Sequence, residues 1–170
     1  EMELYSEAHD KDAIVIDVRN NGGGWTTDMM LAMLQVRDHA RTSARGSDVW
    51  GYPQDRRPLY AWTKPIIVLC NEYSYSNAEI FSWAIKTLGR GKVVGHQTFG
   101  AVISTGGYGL IDGSFVRTPY RAWHVAGSDI NMELNGCPPD IVVEYQHGDT
   151  AKGIDRQLER AVQELLNELN

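Results

Sequence analysis

The sequence predicts an α/β domain: a layered, mostly parallel sheet with flanking helices, plus a β-rich insertion. Three observations carry that prediction. Apolar runs at 13–18, 65–70, 92–95 and 141–145 have the length and β-branching of buried strands. Helical patterns follow the first, second and last of them, the alternation expected when helices cross over between parallel strands. From Val102 onward the chain instead breaks into short β-prone runs parted by Asp112-Gly113 and Gly127-Ser128-Asp129 turns. A chain of 170 residues suffices for one core, so a single domain over 1–170 is expected.

Taken in order, residues 1–11 are polar and are expected to form no element of their own. The first strand covers Ala13 to Val18, and a chain that reaches a core strand so soon reads as part of a longer one. Arg19 to Trp25 contains Gly22-Gly23-Gly24, followed by a helix from about Thr26 to Arg37. Met29, Met30, Met33, Leu34 and Val36 supply its apolar positions, and Thr26 or Thr27 its cap. Three glycines after a strand permit positive φ and leave a bare row of N–H groups. Such a nest suits a phosphate or an oxyanion, and a tight turn is the plain structural alternative. G-x-G-x-x-G is absent and no Lys-Ser or Lys-Thr follows, which disfavours nucleotide binding.

Residues 39–63 are polar and contain Trp50, Tyr52, Tyr60 and Trp62. They read as a long surface excursion, either an anchored loop or a contact surface for peptide or subunit. The strand at 65–70 then breaks through Asn71–Tyr75 into a helix. Ile80, Phe81, Ala84, Ile85 and Leu88 share one face, and Gly89 stops it. Ser76 stands at the junction and has two readings. It is a nucleophile at the open end of a parallel sheet, beside the free N–H groups of a helix start. Or it is the N-cap of an S-x-x-E capping box with Glu79. The local sequence is not G-x-S-x-G. Ligand sites in such sheets gather at the carboxyl ends of strands, so the glycine loop and Ser76 could converge.

Toward the end, Tyr108–Ile111, Phe115–Thr118 and Arg121–Val125 read as short strands, Ile141–Tyr145 as the last strand, and a helix starts at Ile154. Its stripe is Leu158, Ala161, Val162, Leu165, Leu166 and Leu169. The formal charge of −6, without a basic run, argues against nucleic acid. No run approaches the ~20 apolar residues of a membrane span. The five histidines are scattered and no Cys/His cluster has zinc spacing, so no metal or other cofactor is expected. Cys70 reads as a core hydrophobe and Cys137 as a loop residue; a bridge between them is possible but not required.

Four segments together resemble one family. Asp17-Val18-Arg19-Asn20-Asn21-Gly22-Gly23-Gly24 resembles the D-[LV]-R-x-N-x-G-G motif of the carboxyl-terminal-processing (tail-specific) serine proteases. Asn71 to Phe81 resembles their nucleophile segment, Gly95 to Gly100 their G-x-x-T-x-G turn, and Pro139 to Val143 their P-D-I-x-V ending. The match spans nearly the whole chain in order. It implies a ClpP/crotonase-like fold and hydrolysis of peptides or unfolded polypeptide through an acyl-enzyme. The Ser–Lys members carry their base directly after the T-x-G turn, where this chain has Ala101. The tricorn branch lacks that lysine, takes a histidine from far upstream, and has a glutamate before the Pro-Asp ending, which Glu133 matches.

By this resemblance Ser76 is the nucleophile, and backbone N–H groups of Gly23, within the Gly22–Gly24 loop, and Asn77 form the oxyanion hole. Glu133 orients the catalytic network. The histidine base and further domains would come from upstream in the same chain, and a homo-oligomer is implied. Tricorn has aspartate where Asn77 stands, a change to which a backbone donor is indifferent. His96 and His124 are the in-chain candidates for a base. The competing reading is a peptide-binding or assembly module of the same fold, in which Ser76 only caps its helix.

Overall fold

The computed structural model describes residues 2–8, 10–37, 42–43, 45–46, 48, 50–51 and 61–170. Its elements are α1 (Met2–Ser6), β1 (Ile14–Asp17), α2 (Thr27–Leu34), β2 (Thr42–Ser43), β3 (Trp50–Gly51), β4 (Ile66–Cys70), α3 (Asn77–Thr87), β5 (Lys92–Gly95), β6 (Ser104–Gly109), β7 (Phe115–Arg121), β8 (Ile141–Val142) and α4 (Arg156–Leu169). A parallel sheet runs in the order β1-β4-β5-β8, with Ile16 opposite Val68, Val68 opposite Val93 and Val94 opposite Ile141.

β4 lies at the centre of this sheet and all five of its residues are buried, as expected when both faces of a parallel sheet are covered. The strand alternation divides them. Ile66, Val68 and Cys70 pack with Leu34, Trp62, Ala78, Phe81 and Ile85 on the α2–α3 side. Ile67 and Leu69 pack with Val94, Ala161 and Leu165 beneath α4. The result is three layers with the carboxyl ends of β1, β4 and β5 aligned. The insertion adds the antiparallel β6–β7 hairpin. A third cluster of Trp83, Val102, Val125, Met132 and Cys137 seats the insertion against α3. Among the described residues no helix is long and apolar enough to cross a membrane.

Several expected boundaries move, each for a local reason. Residues 2–6 form a helix, because Leu4 and Ala8, one turn apart, pack on the α2–α3 side of the core. α2 stops at Leu34, short of Arg37, where Trp62 N–H takes the Met33 carbonyl at 2.9 Å and the Arg90 guanidinium takes that of Leu34. β6 begins before the expected Tyr108, since Gly106 and Gly107 hide the strand pattern; Gly107 leaves room for the Phe115 ring. β7 ends at Arg121, and of the expected strand to Val125 only a bridge between His124 and Asn131 forms. β8 ends at Val142, not Tyr145, and Leu88 is exposed. Cys137 lies in a loop but is fully buried, and both thiols are free. Burial pushes the Cys70 thiol up to about 12 and raises that of Cys137 as well. Trp62 is fully buried in the core, whereas Tyr52 and Tyr60 lie outside the described residues.

Candidate active site

The turn from β4 into α3 is laced to the segment that follows β1. Ser74 Oγ donates to the Val18 carbonyl at 2.8 Å and accepts from Asn71 N–H at 3.0 Å. Asn71 Oδ1 accepts from Asn20 N–H at 3.0 Å, and Tyr75 N–H donates to the Asn21 carbonyl at 2.9 Å. The next residue, Ser76, is forced to φ 57°, ψ −114°. An ordinary N-cap has β-region angles, and positive φ in a serine is a strained state that surrounding bonds must hold.

The capping box expected between Ser76 and Glu79 is formed. Glu79 Oε1 accepts from Ser76 N–H at 3.0 Å, and Glu79 N–H faces the Ser76 side chain while bonding the Ser76 carbonyl at 3.0 Å. Asn77 N–H, at the first helical position, has no intrahelical acceptor. The Asn77 side chain caps a different helix: its Oδ1 accepts from Thr26 and Thr27 N–H at 2.9 and 3.0 Å. The expected self-cap of α2 by a threonine is therefore replaced by a bond across the site.

Gly23 completes the approach. It adopts φ 94°, and a methyl group in place of its hydrogen would fall 2.8 Å from Ser76 Cβ, 2.9 Å from the Asn77 nitrogen and 2.9 Å from the Tyr75 oxygen. Only glycine fits there, and the fold brings Gly23 together with Ser76 and Asn77 at the carboxyl ends of β1 and β4. The Gly23 N–H donates to Asn21 Oδ1 at 2.8 Å, so one of the two expected donors is held by a carbonyl oxygen of the chain itself.

Glu79, read from the sequence only as a capping residue, has a wider reach. It is 0% exposed, and its carboxylate also accepts from Thr98 Oγ1 at 2.6 Å, Gly100 N–H at 2.5 Å and Ala101 N–H at 3.0 Å. One buried carboxylate thus ties the Ser76 turn to the T-x-G turn, and its burial is tolerable because donors surround both oxygens. Glu133 continues the same loop: its Oε2 accepts from Val102 and Ile103 N–H at 2.7 and 2.9 Å. It is joined to Ser76 through that loop and not by direct contact. His96 lies between Glu72 (3.8 Å) and Glu144 (3.5 Å), its buried Nδ1 without a hydrogen-bond partner. His124 sits in its bridge with Asn131. Neither histidine hydrogen-bonds Ser76.

Asp17 and Arg19 of the first motif are structural neighbours. Arg19 donates to Asp17 at 2.6 Å and to Asp155 at 2.8 Å, fixing the end of β1 to the start of α4. These bonds raise the arginine further above its ordinary value and hold Asp155 below the usual carboxylate range.

With this geometry in view, comparison with known proteins is direct. The family model for peptidase family S41 matches residues 2–143. Tricorn protease homolog 1 of Streptomyces coelicolor is 36% identical over 153 residues, 89% of this chain and 14% of the relative. Tricorn protease of Thermoplasma acidophilum is 30% identical over 167 residues, 98% of this chain and 15% of the relative. The chain therefore spans only about one seventh of these relatives' length. The crystal structure of the tricorn protease superposes with a TM-score of 0.78 at 30% identity, covering 93% of this chain and 15% of the other. The photosystem II D1 C-terminal processing protease shares the fold, with a TM-score of 0.57 at 24% identity over 83% of this chain and 37% of the other. The strained serine after β4, the glycine pressed against it and the ordered match along the chain have one common origin: the chain belongs to peptidase family S41.

Proposed function

We propose that residues 1–170 form one domain, the carboxyl-terminal part of a serine peptidase core, with Ser76 as its nucleophile. The observation that carries this reading is the packing of Gly23 against Ser76 Cβ and the Asn77 amide, because a helix cap needs no glycine loop pressed against it. Ser76 Oγ attacks the scissile carbonyl, forming the ester C–O bond as a base takes its proton. The C–N bond then breaks, the amine leaves with a proton, and water hydrolyses the ester. The oxyanion is received by Asn77 N–H and by the glycine loop, where the substrate oxygen displaces Asn21 Oδ1 from Gly23 N–H. A lost donor of this kind costs about 3–4 kcal/mol of transition-state stabilisation.

The base is a histidine supplied from outside these 170 residues. Glu133, with one oxygen on two loop amides, orients the network through the other. Peptides or unfolded polypeptides are the substrates, upstream domains of the same chain complete the site, and the whole protein assembles as a homo-oligomer. The test is Ser76→Ala in the full-length protein, which is expected to cut peptide hydrolysis at least about a thousandfold and to abolish labelling by a fluorophosphonate. Unchanged turnover would reduce Ser76 to a helix cap and the domain to a binding module.

A further inference from the structure

The exposed face beside the nucleophile carries an unexpectedly fixed aromatic ring. Phe99 is 61% exposed, and single exposed aromatics are ordinary on a protein surface. Its backbone, however, is held from three sides. Its N–H donates to the Ser74 carbonyl at 3.1 Å, and the residues before and after it, Thr98 and Gly100, both donate to the Glu79 carboxylate that holds Ser76 N–H. Its ring meets that of Tyr75, the residue preceding Ser76, edge to face at 5.3 Å. Folding gains little from a phenyl group placed mostly in water, yet its position relative to Ser76 is set through one shared buried anchor.

Leu134 repeats the pattern. It is 89% exposed with φ 65°, a conformation that turns normally give to glycine or asparagine, and its N–H donates to the Gly100 carbonyl at 2.7 Å. A strained leucine with its side chain in solvent, directly after Glu133, points to a use for that side chain beyond the turn.

From these observations, and resting on the peptidase reading of Ser76, we infer that the Tyr75–Phe99 ring pair, with Leu134 at its rim, is the wall of an apolar subsite. It receives a bulky apolar side chain of the peptide on one side of the scissile bond. The chemistry is that of apolar burial against preformed rings, which needs no rearrangement because the wall is already anchored to the nucleophile turn.

The experiment uses the full-length protein carrying Ser76→Ala, so that peptides bind without being cut. A fluorescein-labelled alanine–serine hexapeptide is titrated alongside variants in which one phenylalanine is walked through every position, with anisotropy as the readout. At one position phenylalanine is expected to tighten binding at least about tenfold. Adding Phe99→Ala should return that peptide to within about twofold of the parent, and Phe99→Leu should retain part of the gain. Because Phe99 is exposed, truncating it leaves the fold intact, which the thermal midpoint checks. A gain at no position, or one that survives Phe99→Ala, overturns the subsite. A gain that depends on Phe99, in a protein whose wild type hydrolyses none of the series, supports the subsite and removes the peptidase reading.

Discussion

Glu79 is a buried carboxylate whose donors come from two separate turns, Ser76 on one side and Thr98, Gly100 and Ala101 on the other. Replacing it by glutamine preserves shape but converts one acceptor oxygen into a donor facing donors. Unmet bonds of this kind cost about 1–3 kcal/mol each. Glu79→Gln is therefore expected to destabilise the protein by about 2–3 kcal/mol and to slow fluorophosphonate labelling of Ser76 more than tenfold, because Ser76 loses the bond that holds its φ. A melting curve and a labelling time course check both, and a variant that melts and labels like wild type would show the network to be incidental. At this scale the sequence was informative where chemistry is local. Three glycines after one strand and a serine after the next foretell the meeting of Gly23 and Ser76. The S-x-x-E pattern reveals only the near partner of Glu79, whereas its other donors lie 19, 21 and 22 residues away and leave no local trace.

At the scale of elements, β1, β4 and β5 were legible because strands buried on both faces are nearly all apolar. α1 was not, since the described residues that reach the core there are Leu4 and Ala8, and two positions make no stripe. The junction of β1 and α4 was equally hidden, because Arg19 and Asp155 are separated by 136 residues. That junction has a consequence for pH. Arg19 depresses Asp155 below its ordinary value of 3.8, so the ion pair stabilises the fold fully above that value. Its contribution fades as pH falls through the lower folded-state value. Asp155 also caps α4 by accepting from Leu158 N–H at 3.0 Å. Asp155→Asn is expected to cost about 1–2 kcal/mol at pH 7, kept modest by solvent screening at a half-buried carboxylate. In urea denaturation the gap between wild type and variant should begin to narrow below about pH 4, where the unfolded-state carboxyl takes up a proton, and close as pH falls through the lower folded-state value. A gap that stays constant down to pH 2 would assign the loss to packing rather than to charge.

The whole molecule presents the Ser76 turn, the glycine loop and their shared anchors at the carboxyl ends of β1 and β4, yet no histidine within the described residues bonds Ser76. The tricorn relatives are about seven times longer than the stretch they share with this chain. On the proposed reading, a serine without its base loses the general-base contribution, about 10²–10⁴-fold, while the strained turn and the amides beside it remain. The 170-residue chain produced alone is thus expected to fold, since β4 is buried on both faces by its own helices, but to react with a fluorophosphonate at least about a hundredfold more slowly than the full-length protein. The comparison needs equal folded fractions, read from far-ultraviolet circular dichroism and a cooperative melt. Equal rates would move the base into this chain, and His96→Ala and His124→Ala would then identify it by which one removes labelling. A slow rate that recovers when the remainder of the protein is supplied in trans would instead make the site a composite, with the nucleophile and its oxyanion amides in one part of the chain and the proton acceptor in another. Such a division would keep Ser76 unreactive until the parts assemble.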